Sequence, residues 1–381
     1  MLPTFRLPTF LTAHSSYQSS SFKDREAWLV TAPFECSLLK IMSVYDIASM
    51  ITNDDWCCII KLSAVCKVLK QALQDITALC FFPTSVRYSD YKPLELVLQR
   101  FNSLVHVQLH LSAKLSFDMR ALAGPPGDNT RLPYLKTLSL TVDETSWARR
   151  TGTLLYIANI ADVLRFSKLT HLTLTTYLRC LTVFSGFKDL IALNLHDSIL
   201  RCQPPIVFWP KLTTLNLSGT NIANAFNIRA PELLHLDLRS TYITDFTFLR
   251  SMLCLQSLKL CPHRAKPEGW VLDLELLPYL NMTTLVLQHM SLLRPLKLSR
   301  MVGMEHLDLN CSQLFKDQLA YNNCMPELKM CRHLTSLPNL KSVCLAHTQC
   351  TDIWLLKSHM SLKFVHDPPV DDASCPELCF F

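Results

Sequence analysis

Sixteen cysteines and thirteen histidines in one chain raise two kinds of chemistry, metal ligation and thiol exchange. Both need particular spacings. Zinc sites take their ligands in closely spaced Cys and His pairs, and thiol oxidoreductases use Cys-x-x-Cys. No Cys-x-x-Cys occurs here. The nearest groupings are Cys57-Cys58, Cys375-x-x-x-Cys379, and a loose set of Cys324, Cys331 and His333. Cys66 and Cys180 sit inside apolar runs, where a thiol behaves as a small hydrophobe. The cysteines therefore read as reduced thiols holding no metal, which fits a cytoplasmic or nuclear protein. The seven glycines form neither Gly-x-Gly-x-x-Gly nor a phosphate-cradling loop. There is no Gly-x-Ser-x-Gly elbow and no His-Glu-x-x-His. Histidines can move protons, but nothing in the sequence pairs one with a nucleophile. The expectation is a non-catalytic chain without a cofactor, whose working residues bind.

Charge narrows the class of partner. The net charge is +6, charged residues make up 18% of the chain, and Lys and Arg are scattered rather than blocked. Nucleic acid is therefore not an expected partner. Pro3, Arg6 and Pro8 interrupt any apolar core an export signal would need, and no run is long enough for a bilayer. A membrane is not expected either. Apolar residues reach 49%, so there is ample material for a core.

What must position the binding residues is a repeat. The pattern L-x-x-L-x-L starts at Leu190, Leu212, Leu233 and Leu255, in steps of 22, 21 and 22 residues. Further copies start at Leu104, Leu135, Leu169, Met282, Met304 and Leu340, giving ten in all. The last two leucines of each copy are two residues apart and so face one side of a strand. One such strand cannot bury its apolar side alone, whereas parallel stacking gives a continuous core. The expected sheet runs from about Leu104 to Leu345, with short helical turns or extended segments on the return. Near Thr151–Phe166 a longer step leaves room for a helix, because Leu154, Ile157, Ile160 and Leu164 recur at helical spacing. Ala123–Leu132 and about fourteen extra residues near Gln313–Ser336 read as loops inserted between repeats.

From about Leu104 onward the chain resembles the leucine-rich-repeat family. That resemblance implies an α/β solenoid with a curved parallel sheet whose inner face takes a protein. The family often has Asn or Cys three residues after the last strand leucine. This chain has Ser198, Thr220, Thr241, His263, Met290, Ser312 and Thr348 there; hydroxyls can bond backbone in some of these turns, and Met290 cannot. Thr241-Tyr242-Ile243-Thr244-Asp245 and Thr348-Gln349-Cys350-Thr351-Asp352 resemble the continuation found in repeats of ubiquitin-ligase substrate receptors.

Residues alternating with the core leucines should face outward. They include His106, Gln108 and His110, then His171, Thr173 and Thr175, then Asn194 and His196. Thr214, Asn216 and Ser218 follow, with His235, Asp237 and Arg239, Ser257 and Lys259, Thr284 and Gln288, and His306, Asp308 and Asn310. Any exposed strand face must be polar, but that alone does not explain histidine at five strands. The candidate target-binding set is His196, Asn216, His235, Asp237, Arg239, Lys259, His306 and Asp308, with His235, Asp237, Arg239 and Lys259 as the anchor.

Residues 37–78 have another character. Val44, Ile47, Ala48 and Ile51 form one helical stripe, Asn53, Asp54 and Asp55 break it, and Leu62, Val65, Cys66, Leu69 and Leu73 form a second. Leu62-Ser63-x-Val65-Cys66-Lys67 and the preceding aliphatic helix resemble an F-box. The usual Leu-Pro start is missing, with Ile41-Met42-Ser43 near its place, and Val68 and Leu69 stand where an aromatic is usual. By that resemblance Ile47, Met50, Ile51, Leu62, Val65 and Cys66 would meet a Skp-type adaptor of a cullin ligase. The chain would then be the subunit that presents an unidentified target for ubiquitination. Two alternatives stand beside it. In one, the helices merely cap the solenoid of a scaffold or inhibitor. In the other, the Leu62/Cys66 spacing serves elongin, although Lys61 stands where that motif has a small residue. The expected organisation is a disordered tail over 1–36, the F-box-like module over 37–78, the solenoid over 79–365, and an extended tail over 366–381.

Overall fold

The computed structural model describes residues 78–81, 103–111, 116–142, 156–179, 181–201, 206–225, 228–262, 270–315, 331–346, 348, 352–359 and 364–366. All of them belong to one compact unit, residues 50–381. Twelve strands form one sheet, in the order of the sequence. They are Ala78–Phe81, His106–Leu111, Thr137–Val142, His171–Leu174, Ala192–Asn194, Thr214–Asn216, His235–Asp237, Ser257–Leu260, Thr284–Leu287, His306–Asp308, Ser342–Cys344 and Phe364–His366. Every pairing is parallel, and none slips: the leading residues align from Ala78 and His106 through to Ser342 and Phe364.

The alternation explains that register. Leu138, Leu172, Leu193, Leu215, Leu236, Leu258, Leu285 and Leu307 stand side by side in one row and are at most 2% exposed. Two residues on, Leu140, Leu174, Leu195, Leu217, Leu238, Leu260, Leu287 and Leu309 are 0% exposed. Each buried leucine contributes about 1.5–3 kcal/mol. A slip of one residue would turn both rows to water.

The return side is built from short strands and 3-10 turns. Ser116–Asp118 pairs with Tyr156–Ala158, Tyr177–Leu178 with Ile199–Leu200, and Val207–Phe208 with Ile228–Arg229. Val271–Asp273, Ser291–Leu293 and Gln313–Phe315 form a three-stranded sheet. Trp209 is fully buried, and its indole N–H donates to Phe184 O at 3.1 Å.

The turns after five of the sheet strands share one device. Asp197, Gly219, Ser240, His289 and Cys311, each two residues past the last strand leucine, have positive φ. Their N–H groups donate to Ser218, Arg239, Cys261, Asn310 and Ala346 of the next repeat. At Gly219 a Cβ would also come within 1.9 Å of Asp197 Oδ1. The hydroxyls one residue later act in two ways. Ser198 and Ser312 reach the preceding repeat: Ser198 Oγ accepts from Thr176 N and donates to Leu174 O, and Ser312 Oγ accepts from Met290 N and donates to Leu287 O. Thr220, Thr241 and Thr348 donate within their own repeat, to Leu217 O, Leu238 O and Leu345 O. Met290 cannot donate from its side chain; it is 1% exposed, and its backbone is held by the next repeat's serine.

Two expectations change. The helix near Thr151–Phe166 is instead a strand, Tyr156–Ala158, a turn at Asn159 with φ 53°, and a 3-10 segment, Ile160–Arg165. Leu164 is 40% exposed, so the stripe is not a buried face, and Leu154 lies outside the described residues. The cause is a non-local partner: Ser116–Asp118 takes up the backbone of Tyr156–Ala158. The sheet also extends past both expected ends. Ala78 begins the first strand and His366 ends the last, so strands run onto the last residue of the 37–78 segment and the first of the 366–381 tail. Of the two inserted loops, the first follows the helix Arg120–Ala123 and is pinned by the next repeat, where Arg165 donates to Gly124 O at 2.6 Å and Asp128 O at 2.7 Å. The second leaves the strand Gln313–Phe315 and returns at the helix Cys331–Leu334, with 316–330 outside the described residues.

Candidate functional site

The outer face of the long sheet, the side away from the leucine core and the one expected to line the inner curve, carries three aligned columns of side chains. The leading column includes His106, His171, His235 and His306, all exposed. Two residues on stand Gln108, Ser139, Thr173, Asn194, Asn216, Asp237, Lys259, Val286, Asp308 and Cys344. The third position holds His196, Ser218 and Arg239 among others. The expected alternation is therefore present from the strand His106–Leu111 to the strand Ser342–Cys344. Counting leucines also passes over Thr137, Ser139 and Thr141, although the same period in LKTLSL places them on this face.

The eight candidate residues do different work. Asn194, Asn216, Asp237 and Asp308 all fasten the end of their own strand. Their Oδ1 atoms accept from the N–H of His196, Ser218, Arg239 and Asn310 at 3.1, 2.9, 3.1 and 2.9 Å. Asp237 also holds Arg239, with Nε 3.1 Å from Oδ1 and Nη2 2.8 Å from Oδ2. That hydrogen bond raises the pKa of the half-buried guanidinium. Arg239 is thus a pre-positioned donor rather than a free one. Asp308 Oδ2 accepts from Gln288 Nε2 at 2.6 Å. His306 Nδ1 lies 2.7 Å from Ser342 Oγ, and its Nε2 lies 4.0 Å from Glu305 Oε2. Lys341, 2.6 Å from that oxygen, holds the Glu305 carboxyl below its usual range. Lys259 differs from all these. It stands in register between Asp237 and Val286, is half-buried, and its ammonium group makes no hydrogen bond or ion pair among the described residues, although its carbonyl accepts from Leu238 N at 2.9 Å.

One cluster has the atoms of a proton relay. His196 Nδ1 lies 2.8 Å from Ser218 Oγ, and its Nε2 lies 2.9 Å from Asp197 Oδ2. Three features make it structural. Ser218 is only 4% exposed, and its hydroxyl also lies 2.7 Å from Asn216 Oδ1. The N–H groups of Ser218, Gly219 and Thr220 are already bonded to Asn216 Oδ1, Arg239 O and Leu217 O, so no donors stand ready for an oxyanion. Among the described residues no three His, Cys, Asp or Glu side chains converge as a metal site. Cys254, Cys261, Cys311, Cys331 and Cys344 form no disulfide. No helix among the described residues is long and apolar enough to cross a membrane. The adaptor candidates Ile47, Met50, Ile51, Leu62, Val65 and Cys66 lie outside the described residues.

No protein-family model matches the sequence, and no curated protein matches it. Solved structures do. An internalin, InlF, of Listeria monocytogenes superposes with a TM-score of 0.52 at 16% identity, over 84% of this chain and 97% of that one. A leucine-rich-repeat protein of Leptospira interrogans gives 0.45 at 17%, over 80% and 82%. A chain of the mouse RP105/MD-1 complex gives 0.48 at 14%, over 81% and 55%. The internalin likeness establishes the fold: this chain is a leucine-rich-repeat solenoid.

Proposed function

We propose that this chain is a recognition subunit that holds a target protein on the outer face of its sheet and brings it to a cullin-type ubiquitin ligase through residues 37–78. The observation that supports the first half is Lys259, a half-buried cation whose ammonium has no partner among the described residues, on a face where Asp237 and Glu305 are paired with cations and Asp308 is already hydrogen-bonded. A half-buried, unpaired cation near a pre-positioned arginine suits a partner's acidic group. The second half is supported by the F-box-like run Leu62-Ser63-x-Val65-Cys66-Lys67 in sequence, with a Skp-type adaptor as the partner it implies.

Two variants test the halves separately. Ile51→Glu puts an unpaired carboxylate into the adaptor contact, so binding of a purified Skp-type adaptor is lost while the thermal transition of the repeats stays. Lys259→Glu reverses the unmatched charge, so target capture is lost while adaptor binding stays. If the unaltered chain binds neither Skp-type adaptor nor elongin, the ligase reading falls and a scaffold or inhibitor remains. Elongin binding alone replaces the adaptor and keeps the rest.

A further inference from the structure

The leading column of the sheet has a charge pattern unlike the rest of the face. From His106 to Ser342 it reads His, Thr, His, Ala, Thr, His, Ser, Thr, His, Ser, each aligned with the next. It contains no fixed charge, and its only titratable groups are His106, His171, His235 and His306, all exposed. Imidazole is the side chain that changes charge between about pH 5 and 8. We infer that this column is a histidine rail that binds an acidic protein segment when protonated and releases it when neutral. The inference rests on the reading that the outer face is the binding surface, and it adds the condition under which that surface works.

The surroundings of each histidine support this. His106 is flanked in register by Ala78 and Thr137, and His171 by Thr137 and Ala192. His235 is flanked by Thr214 and Ser257, and His306 by Thr284 and Ser342. One ring nitrogen of His171 lies 2.8 Å from Thr170 Oγ1, and one of His306 2.7 Å from Ser342 Oγ, both neutral groups. The acids near the rail are already engaged. Asp237, two residues from His235, holds Arg239, and Asp308, two from His306, accepts from Gln288 and Asn310. Glu305 beside His306 is matched by Lys341. A protonated rail therefore presents charge that no neighbour within the column cancels.

Spacing lets the charges coexist. Strands in a sheet lie about 4.8 Å apart, so histidines two or three strands apart are separated by roughly 10 and 14 Å, at or beyond the screening length of about 8 Å in physiological salt. Each can charge without opposing the next, while an extended acidic segment crossing the strands meets one positive site every two or three repeats. Nucleic acid fits less well, because the fixed cations near the rail are few, Lys136, Arg239, Lys259 and Lys341, and Arg239 and Lys341 are paired.

The test uses the full chain and poly-L-glutamate as probe, at constant ionic strength and at about pH 5.8 and about pH 7.8, either side of the imidazole window. The probe stays ionised at both, since ordinary carboxylates titrate near about pH 4.3. An exposed ion pair is worth roughly a factor of two, so four of them tighten binding by about tenfold or more at the lower pH. The quadruple variant His106→Asn, His171→Asn, His235→Asn, His306→Asn should bind equally at both pH values with an unchanged melting temperature. His359→Asn, away from the sheet face, should behave as the unaltered chain. Equal affinity at both pH values in the unaltered chain, or a pH dependence that survives in the quadruple variant, overturns the rail. Tighter binding of duplex DNA than of poly-L-glutamate at the lower pH overturns the choice of an acidic protein segment. Target capture that Lys259→Glu abolishes, beside pH-independent probe binding, sinks the rail alone. Rail-dependent probe binding with target capture untouched by Lys259→Glu sinks the earlier reading of the target site instead.

Discussion

Ser312 offers the sharpest check on how neighbouring repeats are joined. Its hydroxyl is 1% exposed and serves two backbone groups of the preceding repeat, accepting from Met290 N at 3.2 Å and donating to Leu287 O. Met290 is itself buried, so Ser312→Ala leaves its N–H without a partner in a dry site. An unsatisfied buried donor costs about 1–3 kcal/mol and the lost hydroxyl bond about 1 kcal/mol more, so the variant should lose about 2–4 kcal/mol. Thr220→Val is the control. Thr220 Oγ1 donates to Leu217 O, but that carbonyl already accepts from Thr220 N at 3.2 Å. Nothing is orphaned there, and the loss should be at most about 1 kcal/mol. Urea unfolding gives the totals, and hydrogen exchange at the Met290 amide reads the site directly. If Ser312→Ala costs no more than Thr220→Val, or the Met290 amide exchanges at its original rate, the inter-repeat role assigned to the hydroxyl is wrong.

Leu236→Ala, in a row that is at most 2% exposed, should lower stability by about 2–5 kcal/mol in the same unfolding assay. Gly219→Ala forces a side chain into φ +71° and drives Asp197 away from His196; a loss of about 1–3 kcal/mol is expected, and Asp197→Gly in the same chain should recover the part due to contact but not the part due to φ. Arg165→Ala removes the two bonds that hold Gly124 and Asp128, so limited proteolysis between Pro125 and Asn129 should speed up severalfold while the global unfolding midpoint moves little.

The core was legible because a strand obeys a two-residue rule that needs no partner to be read. Leu215, Leu236 and Leu258 sit where the pattern places them, and the polar residues between them face outward. Leucine counting fails where structure depends on another repeat. Ile157, Ile160 and Leu164 show a helical spacing, yet the preceding repeat supplies a strand for Tyr156–Ala158 and the segment follows it. The face on which the candidate residues stand was legible; their roles were not. Nothing in the letters distinguishes an aspartate that greets a partner from one that fastens its own strand, as Asp237 and Asp308 do through the N–H groups two residues on. Nor does sequence show that Ser198 and Ser312 reach backward while Thr220 and Thr241 bond at home. The four histidines at the third position of LVHVQL, LTHLTL, LLHLDL and MEHLDL were legible in the pattern, and the unslipped register adds that they stand in one column.

The unbroken register has a consequence for how such a chain can change. Each strand pairs only with the strands of the repeats on either side, so a unit can be removed or copied whole without re-solving the rest. The step from Leu212 to Leu233 is 21 residues. Excising 212–232 would bring Asn194 beside Asp237, join the uncharged and charged parts of the face one strand closer, and leave both rows of leucines continuous. Where the return strands also find a new partner, as Val207–Phe208 would need in place of Ile228–Arg229, recombination at matching leucines changes the reading surface and moves the histidines together by one strand width. Recognition in this architecture is edited by the length of a repeat rather than by the single residue.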